Sequence, residues 1–212
     1  MNKPSKSDAE LVVSILAANK DDFAVLMERY QQRIFSYLYR FLYQNKEAAL
    51  DVTQNVFSKV YENLGSFDTK FPMQSWIYRI AHNEAANYLR TISRRKESHM
   101  DDDQWSSIPG SDLSNGYEQE ENRKLVLRAL EKIDPKYREI LVLSYFEEKS
   151  YKEIAEILDT STNTVGTLIR RAKKQMEKTL NSMVGRADWF TQIIFRSFLI
   201  VFPTHFQSKL RS

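Results

Sequence analysis

A strongly acidic segment in the middle of the chain limits what the chain can fold into. Residues 97–121 carry eight acidic residues and no lysine or arginine, and they show little apolar periodicity. Such a segment cannot bury enough apolar surface to belong to a core, so we predict that it is a linker. The whole chain has a net charge of +3, so the remaining residues carry +11. The sequence therefore predicts two basic domains, and clustered positive charge of this kind indicates nucleic acid as a partner.

Helical periodicity fills the chain on both sides of this linker. Before the linker, caps and apolar spacing predict four helices. The first is opened by the capping box Ser7-x-x-Glu10, and the second has Asp21 or Asp22 as its N-cap. The third covers about residues 47–64 with Gly65 as its stop, and the fourth covers about residues 74–95. After the linker, helices resume at Asn122, and further starts are marked by Asp134-Pro135 and by the capping box Ser150-x-x-Glu153. We therefore predict an all-α fold with two small helical domains.

Residues 151–174 have the pattern of a helix-turn-helix. Ala155 is small at the point where the second helix must cross closely. Asp159 occupies the turn, and Asp tolerates left-handed backbone geometry better than most residues. Ser161 can cap the second helix. Because this motif places its second helix in the major groove of DNA, we predict a DNA reader here.

The second helix of the motif divides into two faces. An apolar stripe for the core recurs at helical spacing: Val165, Ile169, Ala172 and Met176. Another face carries amide, hydroxyl and cationic side chains that can reach base edges and phosphates: Asn163, Thr167, Arg170 and Lys174, flanked by Arg171 and Lys173. A cationic amphipathic helix on a solvated surface is the alternative interpretation.

A second candidate nucleic-acid site lies in the N-terminal half. Its residues are cationic, amide or aromatic, and they come from one helix face and the loop before it: Phe67, Lys70, Arg79, Asn83 and Arg90. Such groups suit the stacking and hydrogen bonding of unpaired bases. The alternative is that Phe67, Phe71 and Trp76 belong only to the core, and for Trp76 we favour the core.

Nothing in the sequence supports catalysis or a bound cofactor. The chain has no cysteine, and its three histidines are widely spaced. It has neither a phosphate-cradling glycine loop nor a nucleophile with a neighbouring base. We therefore expect no enzyme activity, no metal site and no cofactor.

Two motifs, in this order, resemble conserved regions of bacterial sigma factors. Phe67 and residues 76–83, preceded by Asp51-x-x-Gln54-x-x-Phe57, resemble region two. Residues 132–146, followed by the helix-turn-helix, resemble region four. Having only these two regions, joined by a short linker, is typical of the extracytoplasmic-function (group four) sigma factors. The resemblance covers roughly residues 8–180.

The resemblance implies a protein that binds core RNA polymerase and directs it to promoters in response to stress or another signal. Region two would open the promoter and capture the minus-ten element, with Phe67, Lys70 and Asn83 around the pocket for a flipped base. Region four would read the minus-thirty-five element as duplex. The clamp and the flap of core polymerase would be the docking sites, and the clamp would bind the helix that carries Asp51, Gln54, Asn55 and Lys59.

The resemblance also implies an anti-sigma factor as a partner and a cytoplasmic location. An anti-sigma factor can hold such a protein at the membrane, but we expect no stable membrane insertion of this chain. Four positions depart from the family pattern. Asn55 stands where glutamate is usual, Asn87 where aspartate is usual, and Gly166 and Leu168 where basic or polar residues are common. The promoter sequence is therefore not transferred from relatives.

We divide the chain at these patterns into residues 1–96 (region two), 97–121 (acidic linker), 122–180 (region four) and 181–212 (an apolar and basic C-terminal extension). In the extension, residues 189–202 are apolar at helical spacing but too short to span a bilayer, which takes about 20 residues. We predict an amphipathic helix that packs on this chain or on a partner, and attachment to a membrane surface is the rival interpretation.

A stand-alone transcriptional regulator is the alternative function. Its N-terminal domain would dimerise or sense a ligand, and it would bind duplex DNA tightly by itself. A sigma factor of the kind described would bind promoter DNA only weakly without polymerase.

Overall fold

A computed structural model describes residues 6–98 and 117–184. Regular structure within these two ranges is helical: α1 (Asp8–Leu16), α2 (Asp21–Phe41), α3 (Lys46–Asn63), α4 (Met73–Ser98), α5 (Tyr117–Glu131), α6 (Pro135–Leu141), α7 (Tyr151–Ile157) and α8 (Thr162–Val184), with a 3-10 turn at Leu64–Ser66 and a π-helical turn at Val142–Phe146. None of these helices is both long and apolar enough to cross a lipid bilayer.

The chain divides into two compact units. The first contains α1 to α4 together with Ala155–Thr160, and the second contains α5, α6 and α8. This arrangement confirms the prediction of an all-α fold with two small helical domains.

The core of the first unit lies around α2, which packs against α1, α3 and α4. The buried residues are those that the helical spacing selects: Leu26, Ile34, Tyr37 and Leu38 on α2, Val52, Val56 and Val60 on α3, and Ile77, Ala81 and Ala85 on α4. The rings of Tyr37 and Tyr78 meet at 5.3 Å between centroids. These buried side chains recur at helical spacing, and each stripe leaves a polar face of its helix exposed.

The capping box that opens α1 is confirmed. The Ser7 hydroxyl accepts from the backbone N–H of Glu10 at 3.3 Å, and the Glu10 carboxylate accepts from the backbone N–H of Ser7 at 2.7 Å. Because the backbone hydrogen bond to Ser7 stabilises the charged carboxylate, the pKa of Glu10 lies below its usual value.

The prediction that Asp21 or Asp22 caps α2 is wrong. The residue before the helix is Lys20, which makes no side-chain cap. The Asp22 carboxylate instead accepts hydrogen bonds from Lys6 and Asn19, which are on the segments that precede α2. The bond from Lys6 holds the pKa of Asp22 below its usual range. A tertiary partner has therefore displaced the local cap.

The predicted end of α3 near Leu64 is confirmed, because the helix ends at Asn63, but Gly65 does not act as a left-handed cap. The Leu64 N–H donates to the Tyr61 carbonyl, and the last turn tightens into the 3-10 geometry of Leu64–Ser66. The φ angle of Gly65 lies outside the left-handed range. The chain thus leaves the helix without a conformation that only glycine favours.

In the second unit, α5 and α6 both pack against α8. The predicted start of α6 is confirmed, because the Asp134 carboxylate accepts from the Lys136 N–H at 3.1 Å and Pro135 is the first helical residue. Helices resume at Tyr117 and not at Asn122 as predicted. The helix dipole favours acidic residues in a first turn, so acidic composition alone does not mark a linker.

The predicted boundaries differ from the helix ends in two further places. Helix α4 continues to Ser98, two residues into the predicted linker, and α8 continues to Val184, past residue 180. The rest of the predicted linker, residues 99–116, lies outside the described residues. The predicted amphipathic helix of the extension, residues 189–202, lies outside them as well.

Arg138 on α6 is a fully buried cation, with 1% of its surface exposed. Its guanidinium donates hydrogen bonds to the carbonyls of Leu130 at 2.8 Å, Glu131 at 3.0 Å and Ile133 at 2.8 Å. These carbonyls lie at the C-terminal end of α5 or just beyond it, where intrahelical donors run out. Arg138 therefore satisfies the end of α5 and joins it to α6.

We expect Arg138→Met to lower the free energy of unfolding by about 2–4 kcal/mol, because three carbonyls lose a charged donor. Arg138→Lys should recover only part of this loss, because an ammonium group lacks the planar fork of a guanidinium. Urea unfolding followed by far-ultraviolet circular dichroism measures the change. The matched control is Arg128→Met, which replaces an exposed arginine of α5 and should change stability by less than about 0.5 kcal/mol. Equal losses in the two variants would contradict this role of Arg138.

Candidate nucleic-acid interface

The turn between α7 and α8 has the geometry that a helix-turn-helix requires. Asp159 adopts the predicted left-handed conformation with φ 48°. The Thr160 N–H donates to the Ala155 carbonyl at 2.9 Å, which closes the end of α7. The Ser161 hydroxyl accepts from the Thr164 N–H at 3.1 Å and so caps α8, as predicted. The turn therefore ends α7, and the cap begins α8.

The first helix of the motif has the predicted capping box. The Ser150 hydroxyl accepts from the Glu153 N–H at 3.3 Å, and the Glu153 carboxylate accepts from the Ser150 N–H at 2.8 Å. The same carboxylate lies 3.9 Å from the ammonium of Lys149, a lysine that is buried. The start of α7 is therefore fixed by bonds within its own first turn.

Helix α8 presents one buried and one exposed face, as predicted. Its core stripe is Val165, Ile169, Ala172 and Met176, and each of these is at most 4% exposed. The predicted DNA-reading residues lie on the outside: Asn163, Arg170, Arg171, Lys173 and Lys174 are exposed, and Thr167 is half-buried. Residues 162–176 contain these four cations and no acid. The exposed face is therefore polar and positively charged, as a surface for DNA must be.

Gly166 leaves a gap in this face beside an aromatic ring. A methyl group at Gly166 would lie 3.7 Å from the ring of Tyr151, the first residue of α7. Tyr151 is 48% exposed. Its ring therefore lies next to the N-terminal part of α8.

The exposed face of α4 carries the polar residues predicted for the second site. Arg79, Asn83 and Arg90 are exposed, and Asn87 lies exposed among them. The Arg90 guanidinium donates to the Asn87 side-chain carbonyl at 2.9 Å. The structure thus places the three predicted α4 residues on one helix face.

The two phenylalanines of the loop before α4 lie in different surroundings. The Phe67 ring packs on Trp76 at 5.0 Å between centroids, and both side chains are half-buried. Phe71 is 63% exposed, so the interpretation of this residue as core is wrong. The Phe71 N–H donates to the Asp68 carbonyl at 3.0 Å, and the Lys70 N–H donates to the Asp68 carboxylate at 3.0 Å. This turn exposes Lys70 and Phe71 to solvent just before the start of α4.

Phe71 was not among the predicted site residues. Its aromatic side chain in a polar loop was the available signal, but the sequence does not tell a buried loop aromatic from an exposed one.

The predicted polymerase-binding residues lie on α3. Asp51, Gln54 and Asn55 are exposed, and Leu50 beside them is an exposed apolar residue, 49% accessible, that the sequence prediction did not include. Lys59 differs from the other predicted residues, because its ammonium forms an ion pair with Glu84 of α4 at 2.6 Å.

Comparison with known families matches the two halves of the chain separately. Residues 26–95 match sigma-70 region 2, and residues 123–176 match sigma-70 region 4. The RNA polymerase sigma-H factor of Pseudomonas aeruginosa is 30% identical over 190 residues, which cover 86% of this chain and 98% of the relative. The extracytoplasmic-function (ECF) RNA polymerase sigma-E factor of Escherichia coli is 30% identical over 192 residues, which cover 85% of this chain and 97% of the relative.

Two solved structures share the fold. The sigma factor RpoE of Bartonella quintana, solved with the anti-sigma factor NepR, matches with a TM-score of 0.62 at 18% identity, covering 78% of this chain and 99% of that chain. CnrH, solved with the cytosolic domain of CnrY, matches with a TM-score of 0.58 at 22% identity, covering 81% of this chain and 96% of that chain.

We expect Gly166→Ala to raise the free energy of unfolding by about 0.5–1 kcal/mol, because glycine inside a helix is less favourable than alanine. The added methyl would meet the Tyr151 ring only at 3.7 Å, an ordinary van der Waals contact. Thermal unfolding followed by circular dichroism measures the change. A loss of stability would contradict the placement of the ring beside an open position.

Proposed function

Because the chain belongs to the extracytoplasmic-function family of bacterial RNA polymerase sigma factors, we propose that its two exposed polar faces read two separate elements of one promoter. Members of this family direct core RNA polymerase to promoters, and this chain is a promoter-directing subunit of that kind. A stand-alone regulator is not favoured, because the chain matches region 2 as well as region 4. We propose no catalytic role for the chain itself.

The observation that carries the proposal is that each matched region exposes one polar face of an otherwise packed helix. In region 2 the helix is α4, and in region 4 it is α8. We assign residues 1–96 to region 2, 97–121 to the linker, 122–180 to region 4 and 181–212 to a C-terminal extension. The family matches at residues 26–95 and 123–176 fall inside the two assigned domains and support this division.

We assign the minus-thirty-five element to the exposed face of α8. A single helix fits the major groove of duplex DNA, and amide and guanidinium groups can donate hydrogen bonds to base edges there. Asn163 and Thr167 lie in the N-terminal half of α8, and we propose that they face the bases. The cations that follow are proposed phosphate contacts: Arg170, Arg171, Lys173 and Lys174.

We assign the minus-ten element to the α4 face and the loop before it. Once the duplex opens, unpaired bases can stack on aromatic rings and accept or donate hydrogen bonds at their edges. Asn83 is the proposed amide contact, and Lys70, Arg79 and Arg90 are the proposed backbone contacts. Phe71 is a better placed stacking surface than Phe67, because the Phe67 ring is already packed on Trp76.

We propose that α3 docks on core polymerase through Asp51, Gln54 and Asn55, with Leu50 as the apolar part of the same surface. An exposed apolar residue surrounded by polar ones is the usual composition of a docking patch. We propose the clamp of core polymerase as the partner of this surface and the flap of core polymerase as the partner of region 4.

We also propose a protein inhibitor as a partner. RpoE of Bartonella quintana was solved with the anti-sigma factor NepR, and this support is by similarity of fold. Because the proposed target is chromosomal promoter DNA, we place the chain in the cytoplasm, where an anti-sigma factor can hold it at the membrane.

The central test is run-off transcription with core polymerase on a promoter library. Adding this chain should yield transcripts with defined start sites. If no template gives such transcripts while a reference sigma factor does, the proposed function is wrong.

The two DNA-facing surfaces should fail differently when mutated. Asn83→Ala should slow promoter opening, measured by permanganate reactivity, by about tenfold, because a lost hydrogen bond to an ordered base is worth about 1.5 kcal/mol. Arg170→Ala should weaken holoenzyme binding to closed promoter duplex and reduce the slope of log affinity against log salt by about 1. Equal effects of both variants on opening alone would contradict the division of labour.

Phe71→Ala should weaken binding of a single-stranded minus-ten oligonucleotide to the holoenzyme by about tenfold, because base–aromatic stacking is worth about 1–3 kcal/mol. Phe71→Tyr keeps the ring and should bind within about twofold of the wild type. Fluorescence anisotropy with a labelled oligonucleotide measures both variants. If the two variants bind equally well, stacking on Phe71 is excluded.

A further inference from the structure

An ion pair joins the proposed polymerase-docking helix to the proposed DNA-binding helix. The Lys59 ammonium on α3 lies 2.6 Å from the Glu84 carboxylate on α4. The Glu84 side chain is 13% exposed, whereas the Lys59 side chain is 47% exposed. The carboxylate is thus held close to the helix surface, and the lysine reaches over it from α3.

Glu84 stands at the edge of the DNA-facing side of α4. It follows Asn83 directly and precedes Asn87 by three residues, so it lies between the polar face and the side that packs on α3. It is the single acidic residue in residues 69–96, a stretch that contains six lysines and arginines. A negative charge at this position opposes the positive charge that the rest of the surface presents to DNA.

A carboxylate beside a DNA-binding face repels the phosphate backbone unless a cation neutralises it. Glu84 is the chain neighbour of Asn83, and charges closer than the Debye length of about 8 Å at physiological salt are screened only in part. Lys59 is the cation bound to this carboxylate in the described structure. A pair so exposed on the lysine side contributes little to folding stability. Its effect should therefore appear in DNA binding.

We propose that Lys59 acts on the minus-ten strand through Glu84, as a charge-masking residue of region 2. Because Lys59 neutralises Glu84, the whole α4 face attracts single-stranded DNA. Lys59 therefore belongs with the DNA-binding machinery, although its helix is the one proposed to dock on polymerase. This inference rests on the proposed function of the α4 face.

The test measures binding of a fluorescent single-stranded DNA oligonucleotide by the reconstituted holoenzyme. The oligonucleotide carries the minus-ten element of the most active promoter found by run-off transcription. Lys59→Gln leaves Glu84 unmasked and should weaken binding about three- to tenfold at low salt, with a smaller effect at high salt. Glu84→Gln should bind at least as tightly as the wild type. The double variant should return to within about twofold of Glu84→Gln.

Lys46→Gln is the matched control. It removes a lysine from the other end of α3, about 20 Å along the helix from Lys59, and it leaves Glu84 masked. This variant should bind within about twofold of the wild type. Circular dichroism of each variant checks that the helices are retained, and titration with core polymerase measures docking separately.

The double variant decides between masking and direct contact. If Lys59→Gln weakens oligonucleotide binding equally with and without Glu84→Gln, the lysine acts without Glu84 and the proposal is wrong. If Lys59→Gln lowers affinity for core polymerase alone, Lys59 is a docking residue and the proposal is also wrong. Absence of promoter-specific transcripts from the wild type would instead overturn the proposed function.

If Lys59→Gln fails to fold, the double variant Lys59→Glu with Glu84→Lys can be used to test the proposal instead. It keeps both charges and places the cation on α4, so the holoenzyme should bind the oligonucleotide at least as tightly as the wild type does. A loss of more than about tenfold would overturn the masking role.

Discussion

The burial of Ile77, Ala81 and Ala85 fixes the rotation of α4 about its own axis, and the rest of the first unit depends on this contact. The two alanines let α4 approach the neighbouring helices closely, and all three side chains are fully buried. Since the inward side of α4 is fixed, Asn83 and Arg90 face solvent. The same relation holds in α8, where Val165, Ile169 and Ala172 determine that Arg170 points outward. In both helices the packing of apolar side chains decides which polar side chains are exposed to solvent.

Much of this arrangement follows from sequence, because helical periodicity and local caps act over short distances along the chain. Ser7, Asp134 and Ser161 were predictable caps, since each bonds a backbone N–H within three residues. The left-handed turn at Asp159 was predictable for the same reason, as its conformation is set within the turn. The polar faces of α4 and α8 followed once the apolar stripes were recognised.

What could not be predicted depends on partners that are far apart in sequence or on loops without periodicity. Asp22 does not cap α2, because Lys6 takes its carboxylate. The pairing of Lys59 with Glu84 requires knowledge of which side of α3 meets α4. Phe67 and Phe71 stand in one loop, and only the fold shows that the first ring packs on Trp76 while the second is exposed.

The open position at Gly166 has an evolutionary consequence. A side chain added at Gly166 would touch only the exposed ring of Tyr151 at its first carbon, so the core under α8 would be unaffected. A substitution at such a site costs little stability, so the protein can still tolerate further mutations elsewhere. The exposed side of α8 therefore has a position that can accept a side chain without disturbing the packing beneath the helix.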